Sequence, residues 1–136
     1  VKALSIQQPW AWLIVNRHKP VENRGWPTAI RGQVLIHAGQ KFDQAGYELV
    51  RDCYPEIEMP APTEFPRGGI VGAASITDCV TYLKSSWFTG RYGFLLDDAR
   101  PLPFVPYRGQ LGFFNVPDKV LADPDAAHLL PRAEAF

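Results

Sequence analysis

Three ionisable side chains, Lys19, Glu22 and Arg24, fall within six residues in the run Lys19-Pro20-Val21-Glu22-Asn23-Arg24-Gly25-Trp26. If residues 21–24 are extended, side chains alternate, so Glu22 and Arg24 share one face and Val21 and Asn23 the other. An ammonium, a carboxylate and a guanidinium gathered on a small area can bind an anion, hold an extruded base or run proton transfer. The same spacing also suits a solvated edge strand carrying an exposed ion pair, which would add little stability. Spacing alone leaves both readings open.

Other reactive groups are sparse. His18 precedes Lys19 in a loop and is the better proton-transfer candidate. His37 lies in the apolar run Leu35-Ile36-His37-Ala38, where a histidine reads as a satisfied core or cleft-wall residue, and His128 lies in the tail. Ser85, Ser86 and Thr89 offer hydroxyls without an evident base nearby in sequence. Cys53 and Cys79 form no CxxC pair and have no clustered histidines, so neither a metal site nor a cofactor is expected.

The elements that must position these groups are short. Lys2–Ile6 reads as a strand, followed by a helix in which Pro9 suits the first turn and Trp10, Leu13 and Ile14 form a buried stripe. Val21–Arg24 and Gln33–Ala38 read as strands. Ala45, Leu49 and Cys53 mark the apolar face of a helix over residues 43–53, with Asp43 as its N-terminal cap. Residues 54–68, with four prolines, form a mobile loop before a long strand, Ile70–Val80, whose small residues at 72–75 permit close packing or a bend. Tyr92–Leu96 and Leu111–Val116 read as strands, and the proline-rich stretch Pro101–Gly109 between them fits an edge or a crossover. A weak helical stripe near Ala126–Leu130 marks the tail. Strands without regular alternating helices argue for a small mixed α+β barrel over a doubly wound sheet.

With 136 residues the chain has room for one domain, and 46% hydrophobic content excludes wholesale disorder. No apolar run approaches the roughly 20 residues of a membrane span, and no signal-peptide pattern opens the chain, so a cytoplasmic location is expected. Formal net charge is zero, yet residues 1–51 carry +4 and the remainder −4. Such asymmetry suits a nucleic-acid partner, although uneven surface charge alone would produce it too.

Several of these runs together resemble the ASCH domain, named for its homology to the activating signal cointegrator, of the PUA-like superfamily. The resemblance rests on Leu4-Ser5-Ile6-Gln7-Gln8-Pro9-Trp10-Ala11, on Lys19-x-x-Glu22-x-Arg24, on Arg31-Gly32 and on Leu35-Ile36-His37-Ala38. Gly69-Ile70-Val71-Gly72, Thr77-Asp78-Cys79 and Gly112-Phe113-Phe114-Asn115-Val116 continue it, over residues 2–117, leaving 118–136 as a C-terminal extension. The family pattern is Gly-x-Lys-x-x-Glu-x-Arg. Here Arg17 stands in the glycine position, where a positive-φ turn carries a cost.

The resemblance implies a PUA-like mixed β-barrel of five to six strands with two to three flanking helices. It implies a cleft lined by Lys19, Glu22 and Arg24 that binds RNA, DNA or a modified nucleoside. Lys19, Arg24, Arg17, Arg31 and Arg108 would meet phosphates, Gln8 and Glu22 would read base edges, and Trp10 or Trp26 would stack on a base. Related amidohydrolases that deacetylate N4-acetylcytidine place a threonine where Glu22 stands, and a glutamate further on. This chain has no carboxylate over residues 79–96. A ribonuclease would instead use Glu22 as general base, Lys19 or Arg24 to stabilise charge, and His18 or His37 as acid. A binding module is therefore the first expectation and a hydrolase acting on RNA or an acylated nucleoside the alternative.

Overall fold

The apolar runs become one mixed six-stranded sheet in a computed structural model that describes residues 1–121. The strands are β1 (Lys2–Gln8), β2 (Val21–Arg24), β3 (Gly32–Phe42), β4 (Gly69–Val80), β5 (Tyr92–Pro106) and β6 (Phe113–Asn115). They lie in the order β2-β5-β4-β3-β1-β6. Only β1 and β3 run parallel; the other neighbours are antiparallel. Helices α1 (Trp10–Val15), α2 (Gln44–Cys53) and α3 (Asp118–Leu121) flank the sheet. No helix of the described residues is long and apolar enough to cross a membrane. The stripe near Ala126–Leu130 and His128 lie outside the described residues.

The continuous apolar run of β3 has a simple cause: both faces of the sheet are covered. Val34, Ile36 and Ala38 enter one cluster with Leu4, Ile14 and Phe94. Leu35 enters another with Ala3, Ile70 and Phe114, which also takes in Leu121 of α3. In α1, Leu13 and Ile14 are fully buried as expected, while Trp10 is only half-buried and turns toward the site. Residues 54–68 are anchored by Phe65, which packs on Trp12, Phe42 and Tyr47. At Gly72 a Cβ would collide with Val15 and the Arg100 carbonyl, so the small residues of β4 serve the close packing expected of them.

Three expectations need correction. First, backbone pairing among the described residues leaves β2 and β6 at the two ends of the ladder and does not close a barrel. With four residues, β2 is short, and its ladder partner is β5 alone. The sheet coils instead, so that Phe94 of β5 stacks 6.1 Å from Phe113 of β6, and Trp26 meets both edge-on. Second, α2 exists with its Asp43 cap, which accepts from the Gly46 amide at 2.8 Å, but its buried face is different. Ala45, Leu49 and Cys53 are exposed, whereas Gly46 and Val50 are buried. Gly46 lies against the Trp10 ring and the Asp43 carboxylate, where a Cβ would clash, and this contact sets the helix rotation. Third, the strand expected to end at Leu96 continues: β5 runs through to Pro106, so the proline-rich stretch takes the edge position expected of it as part of that strand, with Pro101 and Pro106 opposite Gly72 and Gly69. Because β2 covers only Tyr92–Leu95, the outer side beyond is an edge, and a proline's missing N–H costs nothing there.

At the end of α1, the amide of Arg17 bonds the Ile14 carbonyl and that of His18 the Leu13 carbonyl, the paired bonds of a Schellman turn. Arg17 takes φ 64° to make it, a conformation that costs a side-chain-bearing residue roughly 1–2 kcal/mol. Arg17→Gly therefore raises stability by about 0.5–1 kcal/mol once the added freedom of the unfolded glycine is offset. Urea denaturation should show this as a higher midpoint with an unchanged slope.

Candidate functional site

The Schellman turn delivers Lys19 to the start of β2, and the strand's alternation puts Glu22 and Arg24 beside it. Lys19 and Glu22 are only 4% and 6% exposed, so this is not a solvated surface pair. The Lys19 ammonium donates to the Val21 carbonyl and stands 3.5 Å from Glu22 Oε1. Arg24 Nε donates to Glu22 Oε2 at 2.9 Å, and its Nη2 reaches across to the Ser5 carbonyl of β1 at 2.8 Å. Glu22 thus sits between two cations, one on each oxygen. A carboxylate has about four acceptor positions, so capacity remains for a ligand N–H.

Aromatic and polar walls surround this centre. The Lys19 ammonium lies 5.5 Å from the Trp10 ring centroid, and Trp10 Nε1 donates to Asp43 Oδ2 at 3.0 Å. A cavity of about 790 Å³ opens here, lined by Trp10, Lys19, Glu22, Leu49, Cys53 and Trp87 among others. A second, of about 570 Å³, shares Trp10, Glu22, Asn23 and Asp43 with it and adds Arg24 and Lys41. Asn23 holds the far rim: its Nδ2 donates to the Trp87 carbonyl at 2.9 Å, and its Oδ1 accepts from the Thr89 amide at 3.0 Å. Tyr54, at the end of α2, stacks on Trp87 with centroids 4.2 Å apart.

The remaining candidates divide clearly. Gln8 does not face the cleft: it is fully buried, its Oε1 accepting from the Trp12 amide and its Nε2 donating to the Pro66 carbonyl, both at 2.8 Å. Its position at the α1 N-terminus commits both ends of the amide to backbone. Arg17 is exposed but lines none of the cavities around Glu22, and Arg31 pairs with Asp78 at 3.7 Å, away from them. Trp26 is 37% exposed beside the site, with Arg24 5.6 Å from its ring. Arg108 lines a further cavity with His37, one that Glu22 does not line. His37 is buried, with Nδ1 3.0 Å from Ser5 Oγ and Nε2 2.7 Å from the Tyr107 carbonyl. His18 stacks on Trp12 at 5.5 Å and does not line the cleft, so it is not placed for proton transfer there.

Sequence reasoning overlooked Asp43 as the partner of Trp10, Asn23 as the anchor of the rim, and Trp87. The signal for Trp87 was an aromatic pair, Trp87-Phe88, inside an otherwise polar stretch. Among the described residues, no group of three or more His, Cys, Asp or Glu side chains could hold a metal ion.

Burial pushes the Lys19 ammonium below its ordinary 10.5, with Arg24 adding to the shift and Glu22 opposing it. Between that lowered value and 10.5 the unfolded chain holds more protons than the native one, so this group's contribution to stability rises with pH. Lys19→Met should consequently flatten the pH dependence of stability in that window, measured as the difference between the two proteins in denaturant titrations. Lys19→Ala leaves the buried Glu22 with one cation fewer and should cost about 3 kcal/mol or more in the same assay near neutral pH. Gly46→Ala forces Trp10 or Asp43 to move and should cost about 1–3 kcal/mol, with a changed tryptophan emission spectrum.

The sequence profile of the ASCH domain matches residues 4–96. Activating signal cointegrator 1 of Homo sapiens and its Mus musculus counterpart are each 36% identical to this chain over 86 residues, 57% of it. The match spans only 14% of those proteins' length, so it speaks for a domain and not for their whole activity. Crystal structures of an ASCH protein from Zymomonas mobilis, wild type and a point mutant, superpose with TM-scores of 0.52 and 0.54. They cover 88% of this chain and 89% and 91% of theirs, at 15% and 14% identity, which establishes a shared fold. The chain belongs to the ASCH domain family.

Proposed function

We propose that this ASCH domain is a nucleic-acid- or nucleotide-binding module, RNA or DNA, whose cleft is centred on Lys19, Glu22 and Arg24. The observation that carries the reading is the burial of Glu22 between two cations on the floor of a cavity walled by Trp10. An acceptor held in place at low dielectric recognises an N–H edge, and an indole beside it offers a stacking face. Together they suit an unpaired base. On this reading the coiled sheet is a PUA-like barrel whose last seam is spanned by Arg24 and Trp26 in place of a backbone ladder.

A second reading, a hydrolase acting on RNA or on an acylated nucleoside, is favoured by one observation. Lys19 has a lowered proton affinity and touches the same carboxylate, which brings an amine closer to work as a base. Against it, the two histidines near the site are committed to Trp12 and to the Ser5–Tyr107 pair.

Equilibrium titration of the chain with single-stranded oligonucleotides should show affinity that falls as salt rises. Glu22→Gln should weaken binding about tenfold, and Trp10→Leu should remove about 1–3 kcal/mol of stacking. Circular dichroism on each variant separates lost contacts from lost fold. Unchanged affinity in both folded variants would refute the assignment, and turnover of labelled RNA or acetylcytidine that disappears in Glu22→Gln would establish the hydrolase instead.

A further inference from the structure

The cations nearest the base-sized cavity are already committed. Lys19 is 4% exposed and spends its donors on Val21 and Glu22, while Arg24 is held by Glu22 and Ser5. A phosphate placed on either would also face the Glu22 and Asp43 carboxylates that line the same walls. Phosphate-binding charge must therefore come from elsewhere.

It lies further along the same groove. The second cavity, the middle of three, shares Ser5, Gly39, Gln40, Gln110 and Leu111 as wall residues with a third cavity of about 780 Å³, so the three adjoin one after another. The carboxylates Glu22 and Asp43 line the first and middle cavities, and no carboxylate lines the third. Lys41 stands on the middle cavity and Arg108 on the third. Both are exposed, and neither has an ion-pair partner among the described residues. Leu111, fully exposed on the wall common to the middle and third cavities, offers an apolar face at that point. The groove thus runs from an aromatic, carboxylate-bearing end to a cationic one.

From this polarity we infer that the ligand is a single-stranded segment longer than one nucleotide. One base enters the first cavity against Trp10, its phosphate passes Lys41, and the adjoining nucleotide lies over the third cavity with its phosphate on Arg108. The inference rests on the nucleic-acid reading and extends it to the class and direction of the ligand. His37 contributes position: with Nε2 donating to the Tyr107 carbonyl, its Nδ1 accepts from Ser5 Oγ, tying the segment that carries Arg108 to β1.

The test is a titration of the whole chain with uridine, uridine monophosphate and tetrauridylate, repeated with the adenine series and with inorganic phosphate as competitor. Tetranucleotide should bind about tenfold or more tighter than monophosphate, with a salt slope reporting phosphate contacts. In a Lys41→Ala/Arg108→Ala double variant the tetranucleotide-to-nucleoside affinity ratio should fall about tenfold, and the slope of log K against log salt should flatten by about 1.4. Tetranucleotide binding no tighter than monophosphate, or an unchanged ratio in the double variant, overturns the extended groove while leaving the base cavity standing. Inorganic phosphate competing as well as tetranucleotide reduces the third cavity to an anion site and also overturns it. Failure of every nucleoside and oligonucleotide to bind the unmodified chain overturns this inference together with the reading beneath it.

Discussion

A single carboxylate organises this domain. Removing Glu22 from water is costly, and the cost is offset only because Lys19 and Arg24 approach one oxygen each. Each cation is itself tied to backbone elsewhere, Lys19 to its own turn and Arg24 to Ser5 of β1. The charge cluster is therefore a mechanical tie. It joins the end of α1, the short strand β2 and the distant strand β1 at the place where the ladder offers no backbone bonds between them.

The walls around that centre are positioned by polar side chains whose bonding is mostly spent on the protein. Asp43 caps α2 through one oxygen and orients the Trp10 indole through the other. Asn23 satisfies a carbonyl and an amide of the rim, and Tyr54 stacks on that rim from α2. Such groups hold the cavity in shape without a ligand, an arrangement that would lower the ordering cost of binding. The acceptor capacity left on Glu22 and the indole of Trp10 are what the cavity presents to a ligand.

Local patterns were easy to read where the physics was local. Two-residue alternation exposed β1 and put Glu22 and Arg24 of β2 on one face, and a continuous apolar run exposed the core of β3. The capping role of Asp43 was legible for the same reason, since it involves neighbours within a few residues, whereas the positive φ of Arg17 was implied only by the resemblance, whose pattern has glycine there. Where a partner far along the chain decided the outcome, pattern failed. The stripe Ala45-Leu49-Cys53 looked like a core face, but Gly46 had to admit the ring of Trp10, and the stripe turned outward, Leu49 and Cys53 toward the cavity. Gln8 looked like a reader of bases until Pro66, 58 residues away, took its amide.

By itself, then, the amino-acid order determined which segments are extended, which short runs are helical, and that an ammonium, a carboxylate and a guanidinium stand together. These follow from steric periodicity and from covalent closeness. Only the tertiary structure decided that the three are buried and not solvated, that the sheet coils without closing its ladder, and that Lys41 and Arg108 line adjoining cavities. Burial and long-range adjacency depend on how the sheet curls and which side chains fill it, and no window of a few residues contains that information.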